Sequence, residues 1–501
     1  MTRSRFSRRK FLSAGGAMAG TSLFSPPVLW SAVQGAAPAG PSGDGQGGAA
    51  DYTLTIAVKP IEVAPDRILS MTTYNGQFPG PLLRFREGRQ VTVEIHNRTD
   101  RPEQLHWHGQ FVSTEVDGAA EEGTPFIPPH GSRRISFTPK PSGYRFYHTH
   151  VRARADLSAG QYSGLVGPVY IEPEKNPGRY DREVFLTMKE FEPTLSRGGD
   201  MDMDFLSPAA PVAGLKERGE RAMKASLAAG MPHGYEVGYG SFTINGKMLG
   251  HGEPVRVKQG ERVLFHVLNG SATEIRSLAL PGHSFTVVAM DGNPLPKPVR
   301  VPMLWLGTAE RISAIVEMDH PGVWILGDTF DDDRHHGMGI VVEYAGAKGK
   351  PQWVKPQPFH WNYAHFGHSA APAAKPDEVF EMTFAKENAA AEGFNRWTIN
   401  GTAFAEGRME PMFQIRRGRR YRLRMHNASD DIHPVHLHRH SFELTRVAGQ
   451  PTSGVQKDVV MVGGYQEMEV DFVADNPGLT LFHCHQQLHM DFGFMALFGY
   501  V

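Results

Sequence analysis

Four pairs of histidines share one spacing, and that spacing predicts a metal site. On a β-strand, residues i and i+2 point to the same face, so each pair presents two imidazoles side by side. Eight imidazole nitrogens suit copper, zinc, iron or nickel, and the number of ligands alone does not select the metal. The pairs are His106 and His108, His148 and His150, His436 and His438, and His483 and His485.

The single cysteine, Cys484, lies between the last two histidines and narrows the choice of metal. On a strand its thiol must point away from both neighbours, so one strand would contact two different metal sites. His433 and His489 would complete a set of two imidazoles and one thiolate, which is the trigonal ligand set of a blue-copper electron-transfer site. We expect Pro434 to take His433 out of the strand ladder. The alternative is an inert, buried cysteine.

These side chains need strands to position them, and an internal repeat predicts such strands. Three segments of ten residues run from glycine to asparagine, at 88–97, 260–269 and 418–427. Each follows an Asn-Gly pair and carries alternating apolar residues, such as Val91, Val93 and Ile95, which is the period of a half-buried strand. The 55 glycines and 37 prolines among 501 residues also favour many short strands joined by turns. We therefore predict an all-β fold of three consecutive β-sandwich domains.

The predicted domains span 51–175, 176–348 and 349–501, after a leader at 1–50. The first and third copies of the repeat carry histidine pairs nine and eleven residues after the final asparagine, whereas the second copy carries Leu278 and Leu280. The metal cluster should therefore lie between the first and third domains, and the second domain should hold no ligand.

Charge and cysteine content exclude several classes of protein. Lys and Arg total 52 against 53 Asp and Glu, so the formal charge of -1 argues against a nucleic-acid or anionic-membrane partner. One cysteine excludes intrachain disulfides, iron-sulfur clusters and zinc sites with two or more thiolates.

The N-terminus resembles a bacterial twin-arginine export signal. Residues 7–12 read SRRKFL, and a moderately apolar stretch follows that glycines and prolines interrupt. The alternative is a membrane-spanning helix, but no later segment has 18 uninterrupted apolar residues. We expect export through the twin-arginine machinery to the periplasm or the medium, as a soluble protein without stable membrane insertion.

With these motifs the chain resembles the multicopper oxidase family, in particular its three-domain, laccase-like branch. The motifs are HWHG at 106–109, HTH at 148–150, HPVHLH at 433–438 and HCHQQLH at 483–489. The resemblance implies cupredoxin-like Greek-key domains and four copper ions. It implies type 1 copper on His433, Cys484 and His489, type 2 copper on His106 and His436, and the type 3 pair on His108, His148, His150, His438, His483 and His485.

The resemblance also implies an oxidase in which a small reducing substrate supplies electrons singly to type 1 copper and dioxygen is reduced to water at the other three. Asp117 matches the family's acidic residue beside type 2 copper and is a candidate proton relay; the alternative is a turn aspartate. Bacterial relatives often carry glutamate directly after the last histidine, where this chain has Met490, so the second candidate is Asp491. The axial position is Phe494, unless the loop slips by one residue and Met495 ligates.

The first substrate hypothesis is a phenol or an aromatic amine, with Asp430 or Asp431 accepting its acidic proton; the alternative for both is an exposed loop pair. The second hypothesis is a periplasmic cuprous oxidase for copper tolerance, because thioethers select Cu(I). The candidate thioethers of this oxidase are those of Met201, Met203, Met409 and Met412. A third and weaker hypothesis is a copper-free structural protein of the envelope with this fold.

Two segments have no counterpart in the other copies. Residues 197–235 form an insertion whose centre, at 215–229, is predicted to be a helix. The sequence leaves its role open, and its place in the second domain would let the insertion cover part of the donor pocket or make a subunit contact. Residues 359–375 carry His360, His365 and His368 among alanines and are predicted to be a solvated loop.

Overall fold

The computed structural model describes residues 48–173, 179–196, 212–228, 233–369, 374–407 and 409–501, whose strands form six sheets. The predicted export signal lies outside the described residues, which begin at position 48. The sheets come in three consecutive pairs, which we call the N-terminal, middle and C-terminal domains. No described strand crosses the intervals 173–181 and 345–377, where the predicted domain boundaries lie; the boundaries themselves stay predictions.

The N-terminal domain holds two four-stranded sheets. Its strands are β1 (Tyr52–Ala64), β2 (Arg67–Tyr74), β3 (Leu83–Arg86), β4 (Val91–Asn97), β5 (His106–His108), β6 (Ser132–Phe137), β7 (Gly143–His148) and β8 (Val166–Glu172). The sheet orders are β2-β1-β4-β6 and β3-β8-β7-β5.

The middle domain holds a six-stranded and a five-stranded sheet. Its strands are β9 (Arg182–Ser196), β10 (Glu236–Ile244), β11 (Val255–Val257), β12 (Arg262–Asn269), β13 (Arg276–Ala279), β14 (Phe285–Met290), β15 (Asn293–Val301), β16 (Met303–Leu306), β17 (Arg311–Glu317), β18 (Val323–Gly327) and β19 (Gly339–Tyr344). The sheet orders are β10-β9-β12-β17-β14-β15 and β11-β19-β18-β13-β16.

The C-terminal domain holds a seven-stranded and a five-stranded sheet. Its strands are β20 (Glu378–Ala391), β21 (Phe394–Ile399), β22 (Phe413–Ile415), β23 (Arg420–Asn427), β24 (His433–Leu437), β25 (Phe442–Val447), β26 (Gln450–Pro451), β27 (Gln456–Lys457), β28 (Val459–Val462), β29 (Glu467–Val473), β30 (Thr480–Cys484) and β31 (Met495–Tyr500). One sheet has the order β21-β20-β23-β29-β25-β26, with β27 on β25; the other is β22-β31-β30-β24-β28.

Helices are few among the described residues. They are α1 (Thr114–Asp117), α2 (Ala213–Ala228), α3 (Asp331–His335) and α4 (Gln487–Asp491), with 3₁₀ turns at Ala120–Glu122, Gly160–Tyr162 and Tyr363–Phe366. The α2 helix confirms the helix predicted inside the insertion. Within the described part of the chain, no helix has the length and apolar character needed to cross a membrane.

The three predicted strands occupy the same place in their sheets. Strands β4, β12 and β23 each pair in parallel with the first strand of their domain. Each ends in an asparagine whose side-chain amide donates to a main-chain carbonyl of the following loop; these are Asn97, Asn269 and Asn427. Strands β4 and β23 alternate in burial as predicted, whereas β12 is buried almost throughout because the N-terminal domain also covers its outer face. There the rings of Tyr144 and Tyr170 lie 5.3 and 5.1 Å from that of His266.

The Asn-Gly pairs form tight turns before these strands. Both residues of each pair have positive φ, between 51° and 76°, a conformation that Gly adopts freely and that Asn tolerates better than most residues. The pairs are Asn75-Gly76, Asn245-Gly246 and Asn400-Gly401.

The apolar interior is divided unequally among the domains. The largest buried cluster runs through the middle and C-terminal domains together, from Val263 through Leu304 to Met461 and Phe498. A separate cluster around Val93 and Trp107 fills the N-terminal domain. Two domains thus share one core, and the N-terminal domain docks against them.

Candidate metal centres

Strand pairing brings the histidine pairs side by side within each domain. In the N-terminal domain β5 pairs with β7 and sets His106 opposite His148. In the C-terminal domain β24 pairs with β30 and sets His436 opposite His483. Three of the pairs reach beyond the strands, however, because β7, β24 and β30 end at His148, Leu437 and Cys484. Only the first pair therefore lies wholly within a strand.

The expectation that Pro434 removes His433 from the ladder is wrong. His433 begins β24 and pairs with Val462 of β28. The carbonyl of Pro434 accepts from the main-chain N–H of His485 at 2.6 Å, so the proline nitrogen also faces the side on which β30 has ended. The N–H that proline lacks is therefore not required by β28.

Imidazoles from the two ends of the chain meet at one buried cluster. The ring of His106 stacks on that of His438 with centroids 4.1 Å apart, and that of His108 on His436 at 3.8 Å. The rings of His148 and His485 are 5.0 Å apart, and those of His150 and His483 are 5.2 Å apart. All eight are 2% exposed or less, so they form a single closed cluster between the N-terminal and C-terminal domains.

Hydrogen bonds leave one nitrogen of most of these rings available to a metal. The Nδ1 atoms of four rings lie 2.7 to 2.9 Å from main-chain carbonyls, which only accept hydrogen bonds. Each of these rings therefore carries its hydrogen on Nδ1 and directs the lone pair of Nε2 inward. The four rings, with the residue that supplies the carbonyl, are His106 with Asp117, His148 with Thr149, His436 with Asp458, and His483 with Cys484.

The inward nitrogens are arranged for a cation. The Nδ1 atom of His438 donates to Asp117 Oδ2 at 2.8 Å, so its Nε2 bears a lone pair, and that Nε2 lies 3.0 Å from Nε2 of His483. Two lone pairs facing each other at that distance repel unless a positive charge lies between them. His150, His438 and His483 could hold a metal together. Among the described residues, both nitrogens of His150 and His485 lack a hydrogen-bond partner.

Burial keeps six of these imidazoles neutral. Desolvation lowers the pKa of His108, and repulsion between positive charges on His108 and on its neighbour His436 lowers that pKa further. The pKa values of His148, His436, His438, His483 and His485 are lowered for the same reasons. A neutral imidazole is the form that binds a transition metal, so these six rings are ready to bind at physiological pH.

A second centre lies on the opposite side of β30. The Sγ atom of Cys484 is 3.6 Å from Nδ1 of His433 and 3.5 Å from Nδ1 of His489, and the two nitrogens are 3.2 Å apart. The second nitrogen of His433 lies 2.8 Å from the Ser429 hydroxyl, which leaves its Nδ1 lone pair toward the thiol. Burial raises the pKa of the Cys484 thiol, so the thiolate needs a metal to form. The donor set of one sulfur and two nitrogens fits copper.

Aromatic residues close this second centre. The ring of Phe494 is 4.7 Å from that of His433, and Trp397 lies 4.1 Å from the ring of His489. Met495 belongs to a different apolar cluster, with Leu481 and neighbouring residues. Phe494 therefore lies beside the thiol and imidazole set.

The two predicted acidic relays differ in their surroundings. Asp117 is fully buried, with Oδ2 3.1 Å from Nδ1 of His106 and 2.8 Å from Nδ1 of His438, so it touches both rings. Asp491 lies apart from the imidazoles: Gln487 Nε2 and the main-chain N–H of Arg154 donate to it at 2.9 and 2.5 Å. Burial raises the pKa of Asp491 to about 7.

The predicted donor-site acids share one lysine. Asp430 and Asp431 both bind the ammonium group of Lys386, Asp431 at 2.8 Å. Lys386 and the nearby imidazoles hold the pKa of Asp431 well below its usual range despite burial, whereas the Asp430 side chain keeps 34% of its surface exposed. Lys386 and Ser429 escaped the sequence analysis because neither has a diagnostic spacing.

The insertion helix α2 lies near the second centre. The main-chain N–H of Val212 donates to the carbonyl of Tyr465 at 2.9 Å. A Cβ atom built on Gly219 would lie 2.5 Å from the carbonyl oxygen of Ala428, the residue before Ser429. The helix thus approaches the loop that leads to His433.

The remaining sequence candidates include exposed residues and residues outside the described ranges. Met201 and Met203 fall in the undescribed range 197–211, and Met409 is 46% exposed. The three histidines of the 359–375 segment are exposed; they are His360, His365 and His368. The prediction of a solvated loop is nevertheless wrong for the segment, because Trp361, Tyr363 and Phe366 are buried in the largest apolar cluster.

One functional residue, Asp458, gave no signal in the sequence. Its Oδ1 lies 3.1 Å from Nε2 of His108, and its main-chain carbonyl accepts from Nδ1 of His436 at 2.7 Å. It stands twenty residues after His438, in the turn between β27 and β28, so spacing could not associate it with the ligands.

Comparison with known proteins agrees with this geometry. Models of the multicopper oxidase family match residues 57–176, 217–343 and 372–500. The chain belongs to the multicopper oxidase family. It is therefore a copper-dependent oxidoreductase that passes electrons from a reducing substrate to dioxygen, and its fold is three consecutive cupredoxin-like domains, as predicted.

Several relatives resemble this multicopper oxidase. It is 29% identical to the multicopper oxidase MmcO of Mycobacterium tuberculosis, over 99% of this chain and 97% of that protein. A copper resistance protein A homologue of Pseudomonas syringae pv. tomato is 28% identical over 74% of this chain and 65% of its own length. Laccase-4 of Thanatephorus cucumeris is 25% identical over 85% of each chain. The crystal structure of Fet3p, titled a multicopper oxidase that functions in iron import, shares the fold with a TM-score of 0.71 at 18% identity, covering 90% of each chain.

Proposed function

We propose that this chain is a laccase-like oxidase that binds four copper ions and couples four one-electron oxidations of a donor to the reduction of dioxygen to water. The observation that carries this proposal is the position of Cys484. Its thiol meets His433 and His489, while its main chain continues directly into His483 and His485 of the imidazole cluster. One continuous backbone thus joins an electron-accepting site to a site large enough for several metals.

Each proposed copper type has its own ligand set. In the proposal, type 1 copper is held by His433, Cys484 and His489, and type 2 copper by His106 and His436. The type 3 pair is held by His108, His148, His150, His438, His483 and His485. Copper would supply the one-electron chemistry at the first site and the binding and reduction of dioxygen at the second.

Buried acids would hold protons beside the imidazole cluster. Asp117 touches His106 and His438 through one carboxylate oxygen, while its Oδ1 has no hydrogen-bond partner among the described residues. We assign Asp117 to proton delivery at this cluster. Asp491 is the second proposed donor, reached through Gln487, whose amide binds it at 2.9 Å.

The donor would approach the type 1 site beside Asp430, where a surface pocket is also lined by Lys386 and Tyr465. Trp397 and Phe494 pack on the type 1 imidazoles but are buried, so they shield that site and do not contact the donor. We assign Asp430 as the acceptor of the donor's acidic proton, because its side chain is partly exposed whereas that of Asp431 is buried, although both carboxylates bind Lys386. The relative named a laccase supports a phenol or an aromatic amine as substrate.

A cuprous oxidase is the second candidate function. The relative named a copper resistance protein supports it. In this alternative an exposed thioether such as that of Met409 would receive Cu(I), because soft sulfur ligands select that ion. With the twin-arginine-like N-terminus, we place either activity in the periplasm or outside the cell.

Steady-state oxidation tests both candidates. Copper-loaded protein is given a phenol, an aromatic amine and Cu(I) in turn, and oxygen uptake is recorded. We expect the organic donors to turn over faster than Cu(I), and an intense blue thiolate absorption in the oxidised protein that Cys484→Ser abolishes. Much faster Cu(I) oxidation would favour the second candidate, and a colourless copper-loaded protein would contradict the type 1 assignment.

A further inference from the structure

The middle domain contains no proposed copper ligand, yet one of its side chains binds a residue that contacts the imidazole cluster directly. Arg311, at the start of β17, is fully buried and forms two parallel bonds to Asp458, Nη1 to Oδ1 and Nη2 to Oδ2, each 2.6 Å long. Arg145 of the N-terminal domain adds a third contact to Asp458 Oδ2 at 3.2 Å. A two-point pair of this kind fixes the plane of the carboxylate as well as its position.

Asp458, which belongs to the C-terminal domain, in turn orients one imidazole of the N-terminal domain and one of its own domain. Its Oδ1 accepts from Nε2 of His108, and its main-chain carbonyl accepts from Nδ1 of His436. These acceptors place hydrogen on the outer nitrogen of each ring, so Nδ1 of His108 and Nε2 of His436 point inward with free lone pairs. Neither inward nitrogen has a hydrogen-bond partner among the described residues.

The glycine of the HWHG motif provides an independent sign that this pair is built for the cluster. Gly109 has φ of +75°, and a Cβ atom built on it would lie 2.4 Å from Asp458 Oδ2 and 2.8 Å from Arg311 Nη2. Any side chain at this position would displace the pair. The residue directly after His108 therefore makes room for the groups that orient His108.

We infer that Arg311 is a positioning residue for the imidazole cluster: by fixing Asp458 it fixes the rings of His108 and His436, and so the affinity of the cluster for copper. The inference rests on the proposed function, in which these rings bind copper. The middle domain would then contribute to dioxygen reduction although it supplies no ligand.

Arg311 also belongs to a buried network of charges that joins the three domains, so its loss must be separated from a general loss of stability. Lys457 binds Asp291 at 2.9 Å and Glu310 at 3.0 Å in the same region. The chain offers a matched control in Arg276. This arginine is also fully buried in the middle domain and pairs with Glu190 and Asp333, at 3.3 and 2.7 Å, so its ion pairs stay within that domain.

The experiment compares Arg311→Met with Arg276→Met in the full chain. Copper content is measured by metal analysis after dialysis against graded chelator, and type 2 copper by electron paramagnetic resonance. We expect both variants to lose thermal stability. Only Arg311→Met should lower the affinity for the cluster coppers, by about 10- to 100-fold, the usual effect of removing a residue that orients a metal ligand. Blue type 1 absorption should persist in both variants.

Arg311→Lys keeps the charge but not the two-point geometry, and it serves if Arg311→Met does not fold. We expect it to retain type 1 copper, with cluster affinity below that of the parent and an altered type 2 resonance. Equal copper affinity and identical resonances in Arg311→Lys and the parent, or equal copper loss in Arg311→Met and Arg276→Met, would overturn the inference. A parent protein that binds no copper at the cluster would instead overturn the proposed function.

Discussion

At the scale of single residues, the chemistry depends on which nitrogen of each imidazole carries the hydrogen. The four histidine pairs and Cys484 could be identified from the sequence because ligand types and spacing along a strand are local properties. The groups that decide which ring nitrogen carries the hydrogen could not be identified in this way. Asp458 and Ser429 contact the rings of His108 and His433 only because the folded chain brings them together. Sequence spacing also left Phe494 and Met495 as alternatives that only the packing of their side chains separates.

The first prediction concerns Phe494. Replacing Phe494 with Met would place a thioether where the ring now lies 4.7 Å from His433, and an added axial ligand lowers the potential of a type 1 site. We expect a fall of about 60 mV or more, which for a one-electron couple is a tenfold change in the equilibrium constant. Redox titration of the blue band measures it. Phe492→Met is the control, because that ring stacks on Phe394 instead, and an unchanged potential in Phe494→Met would place residue 494 away from the copper.

The second prediction concerns a buried acid outside the metal centres. Burial raises the pKa of Glu103 from 4.5 to about 7, and Thr149 Oγ1 donates to it at 3.0 Å. Because the folded state binds the proton more tightly than the unfolded state, the stability from this group is present below pH 4.5 and is lost as pH rises through 7. At about 1.4 kcal/mol per pKa unit the loss is on the order of 3 kcal/mol.

Glu103→Gln removes that dependence, since an amide does not titrate. We expect the variant to match the parent near pH 4.5 and to unfold at a higher temperature than the parent at pH 8. The difference in melting temperature at the two pH values is the measurement. A constant difference between variant and parent across this range would contradict the assignment.

At the scale of elements, the strands could be predicted from the sequence, but the tertiary contacts between elements could not. The Asn-Gly turns and the alternating residues of β4 and β23 identified three equivalent strands, since turn chemistry and two-residue periodicity act locally. The uniform burial of β12 escaped prediction because it results from contact with another domain. The α2 helix was predicted from composition, but its place against the loop before His433 depends on tertiary packing.

The third prediction tests whether α2 covers the donor site. Gly219→Ala inserts a methyl group 2.5 Å from the carbonyl oxygen of Ala428, and such overpacking costs about 1–3 kcal/mol. We expect the helix to shift away from the loop and the ratio of kcat/KM for bulky over small phenols to rise. The comparison is steady-state kinetics on donors of graded size.

Gly214→Ala is the matched control on the same helix. Nothing lies within 4 Å of a Cβ atom built there, so alanine should only add helix propensity, worth up to about 1 kcal/mol. Donor preference should stay as in the parent. If both glycine variants keep the parent's preference, α2 does not limit access to type 1 copper.

At the scale of the whole molecule, the imidazole cluster is also part of the interface between the N-terminal and C-terminal domains. The middle and C-terminal domains share one apolar core, whereas the N-terminal domain has its own and meets the C-terminal domain through rings such as His106 and His438. Domain number could be predicted from the three-fold pattern in the sequence. The shared core could not, because apolar residues do not reveal which domain they pack against.

The fourth prediction follows from that interface. Copper that binds only the folded state, and not the unfolded state, raises the free energy of unfolding by RT ln(1 + [L]/Kd). For each site this is about 2.7 kcal/mol when the free copper concentration is one hundred times Kd. We expect chelation to lower the melting temperature of the parent. The Cys484→Ser variant should keep most of the difference in melting temperature between loaded and chelated protein, because the imidazole cluster between the domains remains intact in that variant. Calorimetry of loaded and chelated protein gives the comparison, and equal melting temperatures would show that copper does not hold the domains together.

The pairing of His106 with His438 and of His108 with His436 has a consequence for biosynthesis. More than three hundred residues separate the members of each pair, so a ribosome-bound chain that has completed only its first domain exposes four of the eight imidazoles. With the ligands proposed above, loading of the cluster would wait until translation has ended and the last domain has docked. A prematurely terminated product would carry the early imidazoles without the thiolate and could not mature into a blue protein.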